Sequence, residues 1–482
     1  MGSRNVSLDT PQTIVIGAGP SGLSAALTLQ QGGHAPVLLE QGQHVGGMMR
    51  SPRWQGFTLD LGRKELYARF PEIDQLWRAA LGDDYAPYPH RVGSLYDGRI
   101  VEMSGAYRGR TRGMPVGWLA RGGFDLSRGW MASARRAPKT YEEFWHFRVG
   151  QTFARILAQG YWEKFRGTAW ADIAPPDTNP VDQTMGAGLL ATAKNALAMA
   201  ARGGVSRQVA WHHPGGGTGQ LFERLAAQYT ALGGRIVFGA TVTALEQDPC
   251  GGVTVTYDIE GKTTAQKARH VVSSMPIERL WGALPAARTD ALDLPAPGPE
   301  AQRAVLLVYL FLDVPHQFPH AWLEVNDPTL LCGRITNFGA FGGRMVPEGK
   351  AAYCVEFFCD GQARILNCTP EQQIEIATSE LERAGLLARA NLIGAHVLHF
   401  PRTNAAASWR EQQTAYRTAL FAEVSKLSSI YHVNRPGADW ASLSGLQAAN
   451  AILMNDRAAF DAAADPTRRQ NDNIAASARS AV

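Results

Sequence analysis

The sequence predicts an α/β fold in which a doubly wound parallel-sheet domain is interrupted by an inserted α+β domain. Three observations predict it. The apolar strand Ile14-Val15-Ile16 runs straight into Gly17-Ala18-Gly19-Pro20-Ser21-Gly22 and an Ala/Leu-rich helix. A second apolar strand, Val37-Leu38-Leu39, ends in Glu40. After a long helical interval the chain returns to strand–helix alternation over 205–276, and strand-like runs over 302–360 then read as an antiparallel sheet.

Each part of the first segment has a physical purpose. Gly17 allows a tight turn and Gly19 lets a pyrophosphate approach the bare backbone. Gly22 lets the helix pack hard on the strand, so that its N-terminal N–H groups face phosphate oxygens. Glu40, roughly twenty residues on, stands where a carboxylate holds a ribose hydroxyl. Together these specify a dinucleotide site. The next residues, Gln41-Gly42-Gln43-His44-Val45-Gly46-Gly47-Met48-Met49-Arg50-Ser51, carry a second glycine pair. A nicotinamide domain has no need for one there. A flavoprotein does, because the chain must pass beside the pyrophosphate and ribityl chain of FAD. The expected fold is therefore a Rossmann-type FAD-binding domain with an inserted α+β substrate-binding domain.

Composition sets outer limits. The chain has 482 residues, 45% hydrophobic, enough for two or three domains with large cores. A net charge of +4 with both signs interspersed gives no nucleic-acid signature. Five cysteines without a CxxC pair argue against a disulfide framework or a zinc site and suit a reducing cytoplasm. Residues 1–11 are polar, so no secretory signal is expected. The most apolar stretch, 304–312, is too short to span a bilayer and reads as a buried strand. Membrane contact is at most peripheral.

The FAD-binding domain is expected at 11–66, 205–276 and 428–455, and the substrate domain at 67–204 and 277–427. Pro71-Glu72-Ile73 opens a helix with Pro in its first turn, and Asp97-Gly98 marks a hairpin turn between 92–96 and 99–102. Residues 105–138, rich in Gly, Arg and Trp, are expected to be mobile or to line a cavity. Residues 141–170, 187–201 and 402–427 read as helical, and 456–482 as a disordered tail.

The run Glu-x5-Gly-Gly from Glu40, with Gly56-Phe57-Thr58-Leu59-Asp60-Leu61-Gly62, resembles the FAD-dependent amine-oxidase superfamily. Further segments are similar to its branch of protoporphyrinogen-oxidase-like, phytoene-desaturase-like and UDP-galactopyranose-mutase-like proteins. These are Tyr161–Gly167, His213–Gly219, Gly333–Phe338, Val346–Lys350 and Asp439–Ala449. The resemblance covers about residues 12–455. It implies that Gly17, Ala18, Gly19, Pro20, Ser21, Gly22, Glu40, Gln41, Gly46, Gly47 and Met48 lie beside FAD. It also implies that Val242 holds adenine through its backbone, that Asp439 and Leu446 stand beside the cofactor, and that Gly445 lets a helix start approach the flavin.

The departures from that pattern bear on chemistry. After Asp60-Leu61-Gly62 the sequence has Arg63-Lys64-Glu65 where the family has Gly-His or Gly-Pro. Two cations there stabilise anionic reduced flavin or bind a carboxylate, or else form a salt-bridged surface turn. Phe165-Arg166 stands in place of a Trp-Gly element, and Arg435-Pro436-Gly437 in place of a tyrosine and paired asparagines. These differences count against a true mutase and against porphyrinogen oxidation.

The expected activity is that of an FAD-dependent oxidoreductase taking a hydride from a C–N, C–C or C–O bond of a small biosynthetic intermediate to flavin N5. A redox-neutral mutase-like enzyme and a non-catalytic flavin-fold partner are the alternatives. Catalytic candidates are Lys64, acting through water, His213 as proton acceptor, and Arg334, which would clamp a substrate carboxylate or phosphate or else form a structural ion pair. His212 and His213 would otherwise be solvated loop histidines. Trp322, Tyr309 and Phe338 line a cavity or belong to the core, and Cys354 and Cys359 are buried thiols. No metal is expected. The expected substrate is a small molecule, and Arg63 and Lys64 suit an anionic one; the electron acceptor is O2 or another.

Overall fold

The computed structural model describes residues 12–88, 90–103, 114–175, 211–248, 251–285, 302–341, 343–360, 363–405 and 410–464. The helix expected at 187–201 and the tail from 465 onward lie outside these residues.

The first layer is a five-stranded parallel sheet. Its order is β17 (Ile430–His432), β11 (His270–Ser273), β1 (Thr13–Ile16), β2 (Val37–Glu40) and β7 (Arg235–Phe238). Strands this short and apolar form a sheet buried on both faces, and β1 is fully buried along its length. One face is covered by α1 (Pro20–Gln31), α7 (Gly219–Ala231) and α11 (Ala438–Met454), joined by α2 (Pro71–Leu81), around Val15, Leu27, Leu38, Trp77 and Tyr229. On the other face β8 (Thr241–Gln247), β9 (Val253–Ile259) and β10 (Lys262–Ala268) form an antiparallel three-stranded sheet.

The second body is a seven-stranded sheet in the order β16 (Leu392–Ala405), β12 (Gln302–Leu312), β15 (Ala351–Asp360), β14 (Arg334–Asn337), β13 (Trp322–Val325), β5 (Val92–Tyr96) and β6 (Arg99–Glu102). It is antiparallel except where β13 runs parallel to β5, so the sheet is mixed rather than purely antiparallel. Asp97 and Gly98 both have positive φ at the β5–β6 turn, the geometry the Asp-Gly pair predicts. α9 (Pro370–Arg383), with a Thr369–Gln372 capping box, packs on one face. The small hairpin β3 (Arg53–Trp54) and β4 (Phe57–Thr58) packs on the other, where Trp54 stacks on Phe311 at 4.2 Å.

A helical unit of α3 (Val116–Ser133), α4 (Tyr141–Val149), α5 (Gln151–Ala154), a π-turn at Arg155–Gln159 and α6 (Gly160–Arg166) is held around Tyr141, Phe144 and Trp170. Expectation fails here in one place. Residues 116–133, expected to be mobile or cavity-lining, are an eighteen-residue helix. Its glycines misled the reading: Gly122 and Gly129 sit where a side chain would strike the Phe153 ring and the His146 carbonyl.

Three boundaries also differ. β16 continues to Ala405, so the helix expected from 402, α10, begins at Arg410 (Arg410–Ser425). Residues 457–464 form α12 (Arg457–Ala464), with Phe460 buried, rather than a disordered tail. Finally α8 (Ile277–Gly282) and Leu420, Val424 and Leu427 share one core with Ile14, Ile16 and Leu39, although 277–427 was expected in the substrate domain. The described cysteines 332, 354, 359 and 368 are free thiols, and Cys354 and Cys359 are buried as expected.

Candidate active site

A cleft of about 1030 Å³ opens at the carboxyl ends of β1 and β2, the position at which open parallel sheets bind ligands. Its first wall is the glycine turn. Gly17 has φ +94°, its N–H donates to the Leu39 carbonyl at 2.7 Å, and a side chain there would meet Ser274 Oγ. A methyl at Gly22 would overlap the Gly17 carbonyl, so this glycine seats α1 on the strand. The Gly46 N–H donates to the Ala18 carbonyl at 2.7 Å, and a Cβ on Gly47 would lie 3.3 Å from Gly19 Cα. Two bare stretches of backbone are thereby held side by side. The Glu40 carboxylate accepts the N–H groups of Ala18 (2.6 Å) and Gly42 (2.8 Å).

The far walls come from distant chain. Ala240–Thr243, Ser274–Pro276, Asn434, Arg435, Gly437, Ala438 and Ala441 line them. α1 and α11 both start on glycine, Gly19 and Gly437, which bring no capping side chain; in the first turn of α11 the Asp439 carboxylate accepts the Trp440 N–H at 2.9 Å. The N-terminus of α1 thus meets the cleft with its first N–H groups uncapped, an arrangement that favours anions.

The turn after β4 brings Arg63, Lys64 and Glu65 into this cleft. Arg63 pairs with Glu65 at 2.6 and 3.0 Å, and its guanidinium lies 4.0 Å from the centre of the Trp322 ring. This is not the surface turn weighed from sequence. The Lys64 ammonium makes no hydrogen bond or ion pair among the described residues and is partly exposed to the cleft. Packing around it pushes its pKa below the ordinary lysine value. Glu356 and Asp60 oppose that effect, and Arg334 and Arg63 reinforce it.

Several expected site residues lie elsewhere. His213 is buried, its Nε2 2.8 Å from Asp60 Oδ2, and Asp60 also accepts Ser51 Oγ at 2.5 Å and the Thr218 N–H at 3.0 Å. His212 is buried too and stacks on Tyr85 at 3.9 Å. Neither is a solvated loop histidine, and neither lines the cleft. Arg334 is a structural ion pair: Nη1 donates to Glu356 at 3.1 Å and Nη2 to the Tyr161 hydroxyl. Burial works against its charge, but these partners outweigh it and hold the guanidinium ionised.

Asp439 directs its carboxylate at Arg69, a bidentate pair at 2.7 and 2.8 Å, rather than into the cleft. Gly445 is not at a helix start. It lies inside α11, where a methyl would overlap the Ser21 carbonyl, so it serves the contact of α11 with α1. Leu446 packs on that same core. Ala18, Gly22 and Gly46 shape the turn from behind, while Gly17, Gly19, Pro20, Ser21, Glu40, Gln41, Gly47, Met48 and Val242 face the cleft. Trp322, Tyr309 and Phe338 are core residues. Sequence reading missed Ser274–Pro276, Asn434 and Glu356. The strand ending at Ser273 carried a signal for the first; the others depend on contacts between distant segments.

Comparison with known proteins adds the family. A sequence model of the flavin-containing amine oxidoreductases matches residues 20–391. The chain belongs to that family. Its cofactor is FAD, and the protein is an FAD-dependent oxidoreductase. The bare glycine backbone, the carboxylate at the end of β2 and the uncapped N-terminus of α1 fit that cofactor.

Among curated proteins, 4,4'-diapolycopene oxygenase of a Methylomonas species is 35% identical over 104 residues, 20% of each chain. The 4,4'-diaponeurosporene oxygenase of Staphylococcus aureus (strain USA300) is 43% identical over 53 residues, 11% of each chain. These matches span a fifth or less of the relatives' length.

Solved structures share the fold along nearly the whole chain. A reduced UDP-galactopyranose mutase aligns with TM-score 0.69 and 18% identity, over 95% of this chain and 98% of that one. Putrescine oxidase with putrescine bound aligns with TM-score 0.57 and 12% identity, over 92% and 99%. A fatty acid isomerase from P. acnes aligns with TM-score 0.53 and 16% identity, over the same shares. At such identities the likeness establishes the fold alone. Among the described residues no helix is long and apolar enough to cross a membrane, and no cluster of His, Cys, Asp and Glu could hold a metal ion.

Proposed function

We propose that this oxidoreductase takes a hydride from a C–N, C–C or C–O bond of a small biosynthetic intermediate, with Lys64 receiving the proton that the substrate gives up. The observation that carries this reading is the free Lys64 ammonium in the cleft, its pKa lowered by the protein packed around it. FAD, when bound, supplies the hydride acceptor. Gly17, Gly19, Pro20, Ser21 and Gly47 would cradle its pyrophosphate, Glu40 and Gln41 its ribose, and Val242 its adenine. Met48 would stand beside them.

In the substrate a C–H bond breaks and its electron pair leaves with the hydride. The proton on the neighbouring nitrogen, oxygen or carbon passes to Lys64 Nζ, directly or through water, and the pair it leaves behind closes the new double bond. A neutral amine is required for this, and burial favours the neutral form. Arg63, fixed by Glu65 and Trp322, offers an anionic substrate group its remaining donors.

The test is anaerobic titration of the FAD-loaded enzyme with candidate amines, alcohols and unsaturated-lipid precursors, followed at the flavin band. Bleaching by a substrate, and reoxidation coupled to consumption of O2 or another acceptor, supports the reading. Turnover that requires prior reduction of the flavin and consumes no acceptor would replace it with a redox-neutral reaction.

A further inference from the structure

The helix α3 is apolar on two sides. Amphipathic helices of soluble domains turn their large apolar side chains inward. On the inner side Trp118, Leu119, Leu126 and Trp130 are half-buried, and Gly122 lies against the Phe153 ring and Gly129 against the backbone of α4, each too close for a Cβ. Three further large apolar residues point out. Val116 is 82% exposed, Phe124 61% and Met131 55%. At about 100° per residue the three fall within an arc of roughly 80°, a single stripe along the outer face. Ala120 and Ser127 lie along the same arc and are exposed as well.

Charge is arranged around that stripe. Arg121 and Arg128 run along one edge, and Arg135 follows the end of the helix. All three are exposed and make no ion pair among the described residues. Arg128 leans over the Phe124 ring at 5.7 Å. Asp125 is turned inward, accepting the N–H of Thr152 at 3.2 Å and its hydroxyl at 2.6 Å. Among the described residues from Val116 to Tyr141 there are five cationic side chains and one acidic one. That excess of four equals the net charge of the whole chain, +4.

We propose that the outer face of α3 docks the enzyme on an anionic lipid bilayer. Val116, Phe124 and Met131 would enter the boundary between headgroups and acyl chains, with the arginines at the level of the lipid phosphates. The surface is a convex ridge of separated side chains with small residues between them. That suits a fluid, non-specific apolar phase; a protein partner would need a groove or a set register of polar contacts, and among the described residues the outer face presents neither. The inference goes beyond the reading of the cleft and does not depend on it.

The test uses the full-length, FAD-loaded enzyme in vesicle co-sedimentation, comparing phosphatidylcholine alone with phosphatidylcholine containing about one third phosphatidylglycerol. The wild type should pellet with the anionic vesicles and much less with the neutral ones. The double variant Arg121→Glu/Arg128→Glu should lose binding by about tenfold or more, and Phe124→Ser/Met131→Ser should lose it on both vesicles. Both variants should keep the flavin spectrum and Tm of the wild type, because the altered side chains are exposed. Absence of wild-type binding, or binding that both variants retain, overturns the proposal. So does a dimer in analytical ultracentrifugation that Phe124→Ser/Met131→Ser dissociates, which would assign the face to a second copy of the chain.

Discussion

Glu356 accepts the backbone N–H of Arg63 at 3.0 Å, a contact between residues 293 positions apart. The same carboxylate takes Thr336 Oγ1 at 2.9 Å and Arg334 Nη1 at 3.1 Å, and its carboxyl carbon lies 3.1 Å from where a Cβ on Gly62 would stand. Gly62, at φ +72°, is what allows this approach. The turn that presents Lys64 to the cleft is therefore pinned from beneath by the central strands of the large sheet. Replacing Glu356 with Ala leaves Arg334 buried without its counter-charge. Denaturant unfolding of Glu356→Ala should show a loss of about 3–5 kcal/mol, with a shifted flavin absorption band in whatever protein remains folded.

Lys64 separates chemistry from cofactor binding. Lys64→Met should retain FAD yet reduce its flavin about 10²–10⁴-fold more slowly in anaerobic stopped-flow with substrate. Because burial lowers the lysine pKa, the wild-type reduction rate should rise with pH and level off below the ordinary lysine value of about 10.4. Lys64→Met should lack that rising limb. Lys64→Arg, which stays protonated, should not restore the rate. An unchanged rate in Lys64→Met would remove Lys64 from the reaction.

His90 should make the protein sensitive to acid. Its ring is enclosed by Tyr88, Trp211, Trp322 and Phe341 at 4.9 to 5.6 Å, with neither nitrogen hydrogen-bonded among the described residues. Burial, with His213 and Arg63 adding to it, pushes its pKa down to about 3. Below the unfolded value of about 6.5 the unfolded chain binds a proton that the folded one refuses. Stability should therefore fall by about 1.4 kcal/mol per pH unit from that point downward, until the folded ring also protonates. His90→Phe keeps the aromatic packing and removes this contribution. Its unfolding free energy, measured between pH 4 and 6 (about the middle of that window), should depend less steeply on pH than that of the wild type.

What could be read from the sequence was what is local. The glycine turn, Glu40 and the Gly46-Gly47 pair each state their geometry within a few residues, because positive φ and close backbone approach leave few other choices. Arg334 and His213 were ambiguous because their roles depend on Glu356 and Asp60, residues that only the folded sheets bring near. Gly445 shows the same limit from another side. A glycine near a helix start and a glycine under a neighbouring helix look alike in one dimension, and only the contact with Ser21 distinguishes them. The helix at 116–133 was hidden because glycine lowers helical propensity, while the packing that repays the loss lies on α4 and α5.

The parallel sheet is completed by its last strand, and Ser21 Oγ reaches the Val433 carbonyl at 2.9 Å across 412 positions of sequence. A chain leaving the ribosome amino end first thus exposes its glycine turn hundreds of residues before β17 and α11 exist to enclose it. Cofactor loading belongs to the finished polypeptide. A message cut short before the codon for Ile430 would yield a protein with the nucleotide fingerprint intact and one wall of its cleft never made.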